Sequence, residues 1–173
     1  MSTYDPIPKS KVPPAPRKQS NTGVMHTEER NGTMKLNPDC VRDVLLYLEE
    51  NLVYTDEKDV TAFKPIEWAV IYDDPELREK YSEIDIKYSI QKLYEADYIV
   101  ADLEPNRDWW EYCSIYDIKW EGHEFLNTVR GKTIWEATKD RAAKIGVTSV
   151  KGFGEISMSI VRTCLRFFVR QSS

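Results

Sequence analysis

Glycine is scarce in this chain and poorly placed for phosphate chemistry. The seven glycines of the 173 residues fall at 23, 32, 122, 131, 146, 152 and 154, so none lies between 33 and 121. A P-loop or a dinucleotide fingerprint needs clustered glycines that let backbone approach phosphate, and neither can be written here. Histidine is scarcer still: His26 and His123 are the only two. Imidazole-rich metal centres and acid–base sets are therefore excluded, and no metal or cofactor is expected. Cys40, Cys113 and Cys164 are odd in number and lack close spacing. That argues against a disulfide framework and for a reduced, intracellular protein. No apolar run approaches the ~20 residues of a membrane span. The N-terminus also lacks the apolar stretch of a secretory signal, so a cytoplasmic location is expected.

What is present suffices for one domain with a real core. Hydrophobic residues make up 41%, with five Trp and ten Tyr. The net charge of −5 is the sum of three unlike parts. Residues 1–33 carry +2, residues 34–129 hold 10 Lys+Arg against 23 Asp+Glu for −13, and residues 130–173 carry +6.

Residues 1–33 contain five of the nine prolines and one aromatic, Tyr4. Such a segment buries too little apolar area to offset its ordering entropy. It is expected to be a disordered, Pro-rich tail with polyproline II character near Pro13–Pro16. Pro13-Pro14-Ala15-Pro16-Arg17-Lys18 reads either as a proline-motif ligand or as plain tail. Met34 opens the ordered pattern and reads as the natural start, with the preceding residues an upstream start or an added segment.

Asn37-Pro38 is a helix start, and Val41, Val44, Leu45, Leu48 and Leu52 make its apolar stripe. Residues 53–65 read as a polar loop, and Ile66–Ile71 as a short strand. Asp74-Pro75 opens a second helix through about Lys80, anchored by Leu77 and Tyr81. Ser82-Glu83-Ile84-Asp85 resembles a capping box and opens a third helix. That helix turns Ile86, Ile90, Leu93 and Tyr94 inward and Ile84, Lys87, Tyr88, Gln91 and Glu95 outward. Tyr98–Leu103 and Trp110–Lys119 read as two strands joined by a turn. Helices follow over Trp120–Arg130 and Thr133–Ile145, the latter closed by Gly146. A final amphipathic helix over Ser149–Arg170 has Phe153, Ile156, Ile160, Val161, Cys164, Leu165 and Phe168 on its apolar side and a basic stripe of Arg162, Arg166 and Arg170. The fold class is α+β and mostly α: a winged helix-turn-helix over 34–130 with a basic helical extension over 131–173.

Three ordered blocks also carry a resemblance. Met34-Lys35-Leu36-Asn37-Pro38 through Glu49-Glu50, Tyr81-Ser82-Glu83 through Glu95-Ala96-Asp97, and Ile118-Lys119-Trp120-Glu121-Gly122-His123-Glu124-Phe125-Leu126 with Arg130 and Ile134-Trp135 resemble an uncharacterised domain-of-unknown-function family. That family is common in phages and prophages of Gram-positive bacteria. The resemblance covers nearly all of 34–145 and implies a winged-helix-like fold in a bacterial host cell. Ser89 stands where the family usually has His, and Asp97 where it has Gly, which predicts a different exit from the third helix.

The default function of such a fold is DNA binding, with the third helix in the major groove and the wing at the backbone. Lys87, Tyr88 and Gln91 can read bases if another part supplies the phosphate clamp. A body of −13 opposes the phosphate term on which most DNA affinity rests. The basic C-terminus offers three readings: a helix that packs or makes a homo-oligomer through residues 150–168, a site for an anionic partner, or an interfacial membrane helix. Trp109 and Trp110 beside Arg107 on the wing point to opposite faces of a strand. Either the outward one anchors an interface, or both are buried. Glu121-Gly122-His123-Glu124 lacks a clustered second group, so His123 reads as a capped or core-edge residue. Gly122 is expected to let its helix pack closely on the wing. The expectation is a non-enzymatic protein that binds a host or phage protein, including by DNA mimicry. A DNA-binding regulator is the alternative.

Overall fold

The computed structural model describes residues 35–57, 60–103 and 113–171. Three helix starts are written in short-range chemistry. The Asn37 side chain accepts from the N–H groups of Asp39 and Cys40 at 3.2 and 3.3 Å and opens α1 (Pro38–Asn51). Asp74 does the same for Glu76 and Leu77, both at 3.0 Å, at the head of α3 (Pro75–Lys80). The Asp85 N–H donates to Ser82 Oγ while the Ser82 N–H donates to the Asp85 carboxylate, a complete capping box on α4 (Glu83–Glu95).

Two segments differ from the sequence expectation. β1 (Val53–Glu57) and β2 (Val60–Lys64) form an antiparallel pair where a loop is expected. The strand expected over Ile66–Ile71 stops after β3 (Ile66–Glu67), and α2 (Trp68–Asp73) follows. Only Ile71 of α2 is buried, and one anchor in six residues leaves no period to read. The third helix of the sequence reading is thus α4.

β3 pairs with β5 (Ser114–Ile118), and β5 pairs with β4 (Ile99–Asp102), giving an antiparallel sheet of order β3-β5-β4. Val100 faces Asp117 while Ala101 faces Ile115, so Tyr116 is the extra residue of a bulge. The bulge explains why Ile115 and Ile118, three apart, are both buried; strict alternation would turn one of them outward.

The exit of α4 keeps a left-handed turn. Asp97 has φ of +66°, and Tyr98 N–H donates to the Leu93 carbonyl at 3.0 Å. This is the Schellman geometry that glycine adopts without strain, held here by an aspartate. The different exit expected from the Gly-to-Asp departure does not occur. Tyr94, expected inward, is 43% exposed, and Ser89 takes an inward place instead. The Ser89 hydroxyl is fully buried beside the Cys40 thiol, its polar neighbour in the core.

The core runs through α1, α4 and the sheet and continues without a break into α5 (Trp120–Val129), α6 (Lys132–Ile145) and α7 (Val150–Gln171). Tyr98, Phe125, Trp135 and Phe153 form an aromatic chain with ring centroids 5.5, 6.4 and 6.0 Å apart. Buried hydroxyls tie α5 to α7: Thr128 Oγ1 and Ser157 Oγ are 2.7 Å apart. Gly146 closes α6 at φ +75°. The molecule is α+β and mostly helical. Among the described residues no helix is long and apolar enough to cross a membrane.

Candidate functional site

α4 brings Lys87, Tyr88 and Gln91 together on its half-buried outer side. The polar groups of Lys87 and Gln91 are held by carboxylates of the helix itself. Lys87 Nζ lies 2.6 Å from Glu83 and 4.0 Å from the centre of the Trp68 ring. Gln91 Nε2 donates to Glu95 at 2.9 Å, and Lys92 Nζ donates to the same carboxylate at 2.5 Å. The hydrogen bond from Lys92 holds the Glu95 carboxyl below its ordinary value. Lys92 also lies 5.2 Å from the Tyr88 ring. The donors that would face DNA already have carboxylate partners one turn away. Arg107, Trp109 and Trp110 lie outside the described residues.

The basic C-terminus divides into two parts. One part is spent on the acidic body. Lys139 Nζ lies 2.9 Å from Asp39, Trp135 Nε1 donates to Asp39 at 2.6 Å, and Arg130 lies 2.7 Å from Glu49. Arg42 returns the contact, donating to the carbonyls of Val129 and Arg130 at 2.9 and 2.8 Å and so capping α5 from α1. His123 sits 3.7 Å from Glu49 at the edge of this network. The other part is exposed: Lys132, Arg141 and Lys144 on α6, and Lys151, Arg162, Arg166 and Arg170 on α7. Val150, Phe153 and Ile156 are buried within the chain, whereas Leu165, Phe167 and Phe168 are exposed. Of residues 150–168, only the later part therefore presents apolar surface.

Arg162 and Arg166 also line a groove of about 910 Å³ between α7, α5 and the Ala96–Asp97 turn. Trp120, 74% exposed, stands on its rim. Tyr98 and Gly154 line the groove, and two glycines approach Tyr98 closely. A Cβ on Gly122 would lie 2.4 Å from the Tyr98 carbonyl oxygen and 2.7 Å from Ile118 Cγ2, and a Cβ on Gly154 would lie 2.8 Å from the Tyr98 hydroxyl. Gly122 thus packs α5 on the foot of the β4–β5 pair. Burial raises the Tyr98 hydroxyl pKa, and the charges of Glu121 and Glu155 add to the rise. The groove was not legible in the sequence, because its parts come from three separated segments. Two glycines opposed to one tyrosine are its only local signal. The Cys40 and Cys113 thiols are buried, which pushes both up to about 12 and leaves them inert as core residues.

No curated protein and no solved structure matches the chain. The sequence model of one family, described as "Hypothetical protein (DUF2513)", matches residues 35–148, and the chain belongs to that family.

Proposed function

We propose that the chain is a non-enzymatic winged-helix protein of phage or prophage type, working in the bacterial cytoplasm by binding another macromolecule, with a protein as the favoured partner. In this reading α1, β3, α3, α4 and the β4–β5 pair are the winged-helix elements. The sheet order β3-β5-β4 and the position of α4 before the β4–β5 pair support it. The outer side of α4 and the wing form the binding surface.

The observation that carries the preference for protein over DNA is the state of the α4 donors. Lys87, Gln91 and Lys92 are engaged by Glu83 and Glu95. A phosphate or base edge must displace a carboxylate from each and approach a body of −13. A protein surface that presents its own basic groups meets Glu83 and Glu95 favourably, which includes the case of a host protein whose DNA site is mimicked. Affinity purification of the full chain from its host cell, with and without nuclease, tests this. One defined protein retained after nuclease, and lost when Glu83 and Glu95 are both changed to Lys, is expected. Retention of nucleic acid alone, removed by nuclease, contradicts the reading.

A further inference from the structure

The groove between α5 and α7 lies apart from the α4 surface and carries features that the fold does not use. Tyr98 is only 7% exposed, yet its hydroxyl opens on the groove and makes no hydrogen bond among the described residues. A hydroxyl with no partner within the fold is open to one supplied by a bound chain. Trp120 presents its indole on the rim. Exposed tryptophan beside a concave surface is a typical anchor for a bound chain. Glu121, Glu124, Glu155, Lys151, Arg162 and Arg166 line the same groove, and none of the six forms an ion pair among the described residues.

We infer that this groove binds an extended peptide segment of a partner protein, carrying an apolar residue or proline between a basic and an acidic side chain. Charge complementarity selects this occupant. Nucleic acid and anionic lipid satisfy Arg162 and Arg166 but are repelled by Glu121 and Glu124. A purely basic segment leaves the arginines unmet. A folded, flat surface cannot follow the groove to Tyr98, which is 7% exposed, whereas the backbone amides and carbonyls of an extended chain can pair with its hydroxyl. The apolar residue packs on the Trp120 indole, which is sequence-tolerant for proline and aliphatic side chains.

A displayed library of linear peptides of about twelve residues, panned against the full chain, tests the assignment. Enriched sequences should place Lys or Arg and Asp or Glu on opposite sides of an apolar residue or proline. For a synthesised winner, Trp120→Ala should weaken binding roughly tenfold, and Tyr98→Phe about threefold, since it removes only the hydroxyl. The substituted side chains at 120, 121 and 162 are exposed, so these variants keep the core intact, which circular dichroism verifies. The paired reversal Glu121→Arg with Arg162→Glu should select peptides with the opposite charge order. Absence of enrichment overturns the proposal. So do winners whose binding is unchanged in these variants, or winners competed away by duplex DNA or phosphatidylglycerol vesicles.

Discussion

At the scale of single residues, Gly122 lets two stretches of backbone meet: a Cβ there would lie 2.4 Å from the Tyr98 carbonyl oxygen. Its missing side chain lets α5 start against the Tyr98 carbonyl, which in turn accepts from the Lys119 N–H at 2.9 Å. Alanine there gains helix propensity but puts a methyl group into backbone that cannot move without disturbing β4. Gly122→Ala should therefore destabilise the protein by about 1–3 kcal/mol, as overpacking does, read as a lowered urea midpoint with unchanged slope. The sequence showed that this glycine matters, since it opens a helix where Gly is costly. It did not show that Tyr98 is its neighbour. Asp97 teaches the complementary lesson. Replacing a Gly suggests a new backbone path, but pairing of Tyr98 N–H with Leu93 holds the left-handed turn, and the aspartate bears the strain.

At the scale of elements, legibility followed how local the determinants are. The caps at Asn37, Asp74 and Ser82 involve residues two or three apart, so their helices could be placed from sequence. β1 and β2 could not. Their link, Lys58-Asp59, has none of the Gly-bearing pairs that mark tight hairpins, and their polar composition reads as loop. α2 failed for the opposite reason: Trp68, Val70 and Ile71 favour strands, and tertiary context overrides that preference. The attachment of α6 to α1 is a further element-scale feature, and it rests on Asp39. Burial acts to raise the Asp39 carboxyl, but hydrogen bonds from Lys139 and Trp135 outweigh it and hold the carboxyl below its ordinary value. A carboxyl depressed on folding contributes stability above its unfolded pKa, and that contribution is lost as pH falls through the folded value. Thermal unfolding from pH 7 downward should thus show a loss of stability below about pH 4 that is shallower in Asp39→Asn. The variant should also be less stable at pH 7. An unchanged acid limb contradicts the assignment.

At the scale of the whole molecule, the charge division read from the sequence persists, but its meaning changes. Part of the +6 of residues 130–173 is consumed inside the fold by Asp39 and Glu49. What remains outward on α7 is Lys151, Arg162, Arg166 and Arg170, and three of these share a groove with carboxylates. The basic end is therefore not a separate phosphate clamp appended to an acidic body. It completes the body's core and leaves a surface of mixed sign beside it. The proposed function requires that this architecture bind protein and not DNA. Fluorescence anisotropy of labelled duplex DNA, titrated with the full chain at about 50 mM salt, where phosphate contacts are strongest, tests it most directly. No saturable change is expected. Saturable binding that weakens steeply as salt is raised would contradict it.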